Sequence, residues 1–102
     1  MTLDEYQVDA RRTLNVALDD RERLLDGAAG LAEEAGEVLA HVRKHVFQGR
    51  RLDVGAVREE LGDALWCIAA VATALDLSLG VIAAANLEKL ARRYPPRDSP
   101  PG

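Results

Sequence analysis

The sequence predicts an all-α protein. Apolar residues make up 48% of its 102 residues but aromatic residues only 4%, a composition that suits closely packed helices better than a twisted sheet. Apolar positions recur at helical spacing through most of the chain, and no segment alternates in the manner of a strand. The length allows one modest core. We therefore expect a four-helix bundle whose remaining apolar surface is covered by a second copy of the chain.

The first two helices are defined by capping and periodicity. Thr2 and Glu5 have the spacing of a capping box, and the apolar residues that follow predict a helix over residues 3–18. Residues 19–23 are the predicted connection to a second helix, over about residues 24–47. We expect its inward face to be formed by Leu31, Ala35, Val38, Val42 and Val46.

The third and fourth helices follow the same logic. Asp53 is a suitable N-cap for the third helix, whose predicted inward stripe is Val57, Leu61, Ala64, Ile68, Val71 and Leu75. Ser78 is a suitable N-cap for a fourth helix to about Arg93, with Leu79, Ile82, Ala83, Leu87 and Leu90 facing inward. We assign residues 1–94 to the domain, and residues 95–102 to a disordered tail.

Charge and cysteine content exclude several functions. A net charge of −4 and a pI near 5.1 argue against a nucleic-acid or anionic-membrane partner. The single cysteine, Cys67, lies in an apolar run, so we expect a buried, inert thiol. The N-terminus lacks the pattern of a signal peptide, and no apolar stretch approaches membrane-spanning length. The expected location is cytoplasmic.

One acidic phrase occurs twice, as residues 33–37 and residues 59–63. Like charges at helical spacing destabilise an isolated helix by about 0.2–0.5 kcal/mol per pair, and an interior glycine by about 1 kcal/mol. Something must therefore compensate in each phrase. A divalent cation between two packed helices would do so, with Gly36 and Gly62 allowing the backbones to approach.

The short connection between the second and third helices makes them antiparallel neighbours, with the two phrases at similar heights. We choose as the inward set Glu34, Glu37, Glu60 and Asp63. Such an oxygen-rich site favours Mg²⁺, with Mn²⁺ as a substitute, over zinc. The alternative is that both phrases are solvated helix faces, as single acidic phrases usually are. The repetition favours the metal site.

The segments that carry a family resemblance are Gly30–Val38, Glu59–Trp66, Asn86–Lys89 and Arg93–Pro95. Together they give Glu-Glu-x-x-Glu, Glu-x-x-Asp, Asn-x-x-Lys and Arg-Tyr-Pro, in that order. This pattern resembles the MazG-type nucleoside triphosphate pyrophosphohydrolases over nearly the whole chain. The resemblance implies a four-helix MazG-like bundle, assembled as a dimer or a dimer of dimers. It also implies Mg²⁺-dependent hydrolysis of a (deoxy)nucleoside triphosphate to the monophosphate and pyrophosphate, as housekeeping of the nucleotide pool.

The resemblance also implies roles for individual residues. The four acids chosen above match the metal ligands of the family. Glu33 matches the acid proposed in some relatives to orient or deprotonate the attacking water, so it is the predicted catalytic residue. Asn86 and Lys89 match substrate-binding residues, and Arg93 and Tyr94 are candidate contributors. The alternative for the cations of this last turn is that they only complement the helix dipole.

Two further candidates follow from their positions. Lys44 lies on the Glu34 side of its helix, where it either meets phosphates or is solvated. Trp66 follows Asp63 by three residues, so its indole either stacks on a base or packs in the core or in a dimer interface. His41 and His45 could border the cleft, but we assign neither a catalytic role.

Two other functions remain open. A phosphoribosyl-ATP pyrophosphohydrolase would share the acidic helices, although the Asn-x-x-Lys and Arg-Tyr-Pro motifs favour the MazG-type branch. A non-catalytic helical dimer would bind Mg²⁺ or nucleotide without turnover. The complete set of acids, with Glu33, favours the enzyme.

Overall fold

The computed structural model describes residues 1–96. Within that range the chain forms four helices and no strand: α1 (Leu3–Arg11), α2 (Asp20–Gln48), α3 (Val54–Ala74) and α4 (Leu79–Arg93). The all-α prediction is confirmed. Most of the predicted tail, from residue 97 onwards, lies outside the described residues.

The connection between α1 and α2 differs from the prediction. Helix α1 ends at Arg11 rather than near residue 18, and α2 begins at Asp20 rather than near residue 24. Asp19 starts α2 with a capping box, in which its Oδ1 accepts from the Glu22 N–H at 2.8 Å and Glu22 Oε1 accepts from the Asp19 N–H at 3.0 Å. This polar cap sets the start of α2, which apolar periodicity alone had placed too late.

Helices α2 and α3 form the largest interface of the described chain, and they run antiparallel. Their turn begins at Gly49, whose φ of 65° lies in the left-handed region that glycine adopts without strain. The turn ends at Asp53, whose Oδ1 accepts from the Ala56 N–H at 3.0 Å and caps α3. The sequence signals for this turn were sufficient to predict it.

Close approach of α2 and α3 depends on glycines that the sequence reasoning did not choose. A Cβ added at Gly27 would lie 3.0 Å from a methyl group of Val71, and one added at Gly30 would lie 2.8 Å from Cys67 Sγ. By contrast, a Cβ at Gly36 or Gly62 would meet nothing within 4 Å. The prediction that the glycines of the acidic phrases bring the backbones together is therefore wrong within one chain.

Helix α1 fixes the corner between α3 and α4 through a buried glutamine. Gln7 is 6% exposed, and its Nε2 donates to the Leu77 carbonyl at 2.8 Å and to Thr73 Oγ1 at 3.2 Å. Its Oε1 accepts from the backbone N–H of Leu79, the first residue of α4, at 2.9 Å. All hydrogen-bonding atoms of this buried amide side chain therefore join α1 to the corner.

Asp4 reinforces the same corner from the first turn of α1. Its Oδ1 accepts from Ser78 Oγ at 2.7 Å and from the Gly80 N–H at 3.0 Å. These bonds, the one from the Gly80 N–H first, hold the pKa of Asp4 below its usual value. Helix α1 thus supplies polar partners to the N-terminus of α4, whose first N–H groups have no partner within the helix.

The four helices do not close into a bundle within one chain. Helix α4 is bent by 103° from α3, and its main contact among the described elements is with α1. The radius of gyration is 17.2 Å, against about 13 Å for a compact chain of this length. Many residues predicted to face inward are exposed: Ala35, Val42, Val46, Leu61, Ile68, Leu75, Ile82, Leu87 and Leu90.

The core is correspondingly small. It centres on Ala69, Ala72 and Leu79, with Tyr6 and Ala10 packed against it. Cys67 is also buried, as predicted, and burial raises the pKa of its thiol. No described helix alone has the length and apolar content to cross a membrane, and α3 with α4 meets that test only as a bent pair.

Substitution by alanine should have opposite effects on stability at a close-packed glycine and at a glycine that faces open space. Gly30→Ala should lower the free energy of unfolding by about 1–2 kcal/mol, because the new methyl group overlaps the buried Cys67. Gly36→Ala should raise it by about 0.5–1 kcal/mol, because the methyl enters open space and alanine favours a helix. Urea denaturation of both variants at low protein concentration measures the difference. Destabilisation by Gly36→Ala would mean that another copy covers that face.

Candidate metal centre

Helices α2 and α3 bring three carboxylates together. Glu34 and Glu37 share one face of α2 because they are three residues apart, and Glu60 projects from the facing turn of α3. One carboxylate oxygen of each lies within 4.8 Å of the other two. The structure thus brings together three of the four predicted ligands.

One oxygen in this cluster has no protein partner. Glu34 Oε2 is buried and accepts no hydrogen bond from any described residue. A buried charged oxygen without a partner is unfavourable, and coordination of a cation would satisfy it. Three converging carboxylates are also the hard oxygen donors that Mg²⁺ and Mn²⁺ bind. The residues present therefore fit a divalent cation.

The electrostatics of the cluster support the same interpretation. Partial desolvation, followed by the charges of Glu37, Asp63 and Glu60, raises the pKa of Glu34. The charge of Glu60, followed by desolvation, raises the pKa of Glu37. The α2–α3 contact thus holds more negative charge than its surroundings favour, and a bound cation would offset it.

The remaining two acids of the predicted site lie at its margin. Asp63 is exposed and does not belong to the group within 4.8 Å, although its charge contributes to the raised pKa of Glu34. Glu33 is also exposed, and its charge contributes to the raised pKa of Glu37. Glu33 is adjacent to Glu34 and therefore lies about 100° around α2 from it. Its carboxylate is near the cluster but outside it.

The predicted substrate residues of α4 lie away from the cluster within one chain. Their side chains are exposed, and the first of them, Asn86, lies seven residues beyond the start of α4 at Leu79, whereas Asp63 lies 11 residues before the end of α3 at Ala74. With α4 bent by 103° from α3, a rise of 1.5 Å per residue places the α4 group roughly 15–25 Å from Asp63. The group consists of Asn86, Lys89, Arg93 and Tyr94.

The two other candidates have different surroundings. Lys44 is exposed on α2, towards the α2–α3 turn. Trp66 is partly buried, and its Nε1 donates to Thr13 Oγ1 at 2.6 Å, so the indole packs beside α1 and the α1–α2 connection. Of the two alternatives for Trp66, the described chain therefore favours core packing over base stacking.

The structure adds one residue that the sequence reasoning left without a role. His41 Nε2 lies 2.8 Å from Glu60 Oε2, across the α2–α3 interface. The available signal was spacing, because His41 follows Glu37 by four residues and so shares its helical face. His45 lies one further turn along and bonds instead to the Arg50 carbonyl, through Nδ1 at 2.7 Å.

Fold and site define a class of small all-α proteins with a carboxylate cluster between two antiparallel helices. The family model for the MazG nucleotide pyrophosphohydrolase domain matches residues 24–97, and the chain belongs to that family. It is also similar to the Gene 37 protein of Mycobacterium phage L5, with 35% identity over 104 residues, covering 91% of this chain and 89% of that protein. No solved structure matches the chain.

The raised pKa values predict an unusual pH dependence for the metal-free protein. The ordinary pKa of such a carboxyl group is 4.5, and between that pH and its raised pKa the group binds more protons in the folded state than in the unfolded state. The free energy of unfolding should therefore fall as the pH rises through this window, because of Glu34 and Glu37. Asp4, with a lowered pKa, acts in the opposite direction but only at lower pH.

Removing one charge from the cluster tests this expectation. In the presence of a chelator at pH 7.5, Glu37→Gln should have a higher Tm than the wild-type protein, and the difference should shrink near pH 4.5. Glu88→Gln, which removes an exposed charge from α4, is the matched control and should leave Tm nearly unchanged. A lower Tm for Glu37→Gln at pH 7.5 would contradict the proposed repulsion.

Proposed function

We propose that this protein is a Mg²⁺-dependent pyrophosphohydrolase that cleaves a (deoxy)nucleoside triphosphate to the monophosphate and pyrophosphate, as cytoplasmic housekeeping of the nucleotide pool. One observation carries the proposal. In a member of the MazG nucleotide pyrophosphohydrolase family, oxygens of three carboxylates on two packed helices lie within 4.8 Å of one another, and one oxygen of these carboxylates, Glu34 Oε2, is buried without a partner. Mn²⁺ is the proposed substitute for Mg²⁺.

The acids of the cluster have separate roles in this proposal. Glu34, Glu37 and Glu60 would hold the cation, with Asp63 completing the set from the margin. Bound there, Mg²⁺ would supply the positive charge that phosphoryl transfer to water requires. The exposed Glu33 remains able to accept a proton from water, because its carboxylate is not engaged in the cluster.

The reaction then balances as a simple hydrolysis. A water oxygen bonds to the α-phosphorus, and the bond from that phosphorus to the oxygen bridging it to the β-phosphorus breaks. Glu33 takes the proton of the attacking water, and pyrophosphate leaves with the bridging oxygen. Orientation of the water and neutralisation of charge are the main tasks left to the protein.

The triphosphate must also meet cations, which the cluster itself does not offer. Within one chain the α4 group is roughly 15–25 Å away, by the helical rise and the 103° bend. The exposed apolar residues of α3 and α4, such as Leu61 and Leu87, indicate a surface that another copy would cover. We therefore include in the proposal a homodimer or homotetramer in which α4 of one copy binds the phosphates held at another copy's cluster.

Product analysis tests the reaction. With Mg²⁺ and a panel of standard and modified nucleoside triphosphates, we expect monophosphate and pyrophosphate in equal amounts. Glu33→Gln should lower turnover by about 100-fold or more while leaving Mg²⁺ binding intact, and Glu60→Gln should lose both. Glu59→Gln, which changes the first acid of the second phrase, is the matched control. Release of orthophosphate, or binding without turnover, would contradict the proposed reaction.

Complementation tests the contribution of α4 from another copy. Glu60→Gln and Lys89→Ala should each be inactive alone. Co-expressed as a dimer, random pairing would place an intact cluster opposite an intact α4 in about a quarter of the sites, so activity should recover to about that fraction. A co-expressed mixture as inactive as its components would contradict the proposal, because it would show that each chain uses its own Lys89.

A further inference from the structure

The contact between His41 and Glu60 crosses from α2 to α3 at the edge of the carboxylate cluster. Their Nε2 and Oε2 atoms are 2.8 Å apart, and the side chains are only 30% and 17% exposed. His41 is not among the three residues whose ligand atoms converge within 4.8 Å. It therefore touches the cluster through one carboxylate.

The chemistry of the pair fixes the direction of the hydrogen bond. An ionised carboxylate can only accept, so His41 donates from Nε2–H to Glu60 Oε2 whenever Glu60 is charged. This leaves the other oxygen of Glu60 available to a cation. The last torsion of a glutamate side chain is otherwise broad, so the bond restricts a freedom that cation binding would have to remove.

The hydrogen bond between His41 and Glu60 restricts a carboxylate that lies close to another metal-ligand candidate. A carboxylate oxygen of Glu60 lies within 4.8 Å of one of Glu37, so the two like charges are held close together. Without the hydrogen bond from His41, the Glu60 carboxylate would be free to turn towards solvent and so reduce that repulsion. His41 is the described residue whose side chain donates a hydrogen bond to Glu60.

We propose that His41 is a positioning residue, which holds the Glu60 carboxylate in the orientation in which the cluster binds a divalent cation. The inference rests on the proposed function, because it concerns the same site. Hydrogen-bond partners of metal ligands typically contribute 10- to 100-fold to metal affinity. His41 does not touch the substrate in this proposal and acts only through Glu60.

Calorimetric titration of the metal-free protein with Mg²⁺, and separately with Mn²⁺, tests the proposal without requiring activity. His41→Ala should bind either ion about tenfold more weakly or worse. His41→Gln should recover most of the affinity, because its amide can donate to Glu60. His45→Ala is the matched control, since His45 lies one turn further along α2 and, among residues 1–96, its side chain bonds the Arg50 carbonyl rather than a cluster carboxylate.

A kinetic measurement separates positioning from a structural role. For His41→Ala the Mg²⁺ concentration at half-maximal activity should rise by the same factor as the dissociation constant. Turnover at saturating Mg²⁺ should stay within about threefold of the wild-type value, because excess ion compensates for a poorly oriented ligand. If His41→Ala instead lost its fold, its turnover would be lower at every Mg²⁺ concentration. The same loss in His41→Gln would overturn the proposal.

Three results would overturn the inference. Equal metal affinity of the wild-type protein and His41→Ala would remove His41 from the site while leaving the proposed function intact. A directly coordinated imidazole nitrogen in the electron spin-echo spectrum of the Mn²⁺ complex would make His41 a ligand rather than a positioning residue. Absence of Mg²⁺ and Mn²⁺ binding by the wild-type protein would remove both the proposed function and the role of His41.

Discussion

Mutual repulsion among carboxylates at the contact of α2 and α3 is the constraint on which the rest of this molecule depends. Gly27 and Gly30 bring the two backbones close on the corner side of the site, and the same packing holds Glu34, Glu37 and Glu60 within 4.8 Å. The interface that provides the largest share of the described packing therefore also concentrates like charge. Apolar packing stabilises the α2–α3 interface, whereas repulsion among its carboxylates destabilises it. This combination is typical of functional sites.

The sequence was sufficient for the fold class and for the proximity of Glu34, Glu37 and Glu60 across two neighbouring helices. Helical periodicity, caps at Thr2, Asp53 and Ser78 and the repeated acidic phrase describe local structure and its immediate partner helix, which spacing can determine. It was insufficient for the α1–α2 boundary, because the capping box of Asp19 with Glu22 overrides an apolar pattern that continues through the loop. The close-packed glycines were misassigned because spacing within a helix does not show which face meets a neighbour.

The position of α4 relative to the other helices could not be predicted from the sequence, for a different reason. The direction of α4 depends on hydrogen bonds between residues seventy or more positions apart, such as those of Gln7 to Leu77 and Leu79. Apolar residues on α4 look the same in sequence whether they pack in their own chain or against another. The predicted four-helix bundle is therefore not formed within one chain, and the expectation that a second copy covers the remaining apolar surface stays a prediction.

The attachment of α4 depends on a part of the chain that the family model does not cover. The family model begins at residue 24, so Asp4 and Gln7 lie outside the matched segment although both bond the corner from which α4 departs. A small rotation at that corner would move the far end of α4, a helix of 15 residues, by several ångströms. Substitutions in the nine-residue α1 could therefore shift the far end of α4 while leaving the carboxylate cluster between α2 and α3 unchanged.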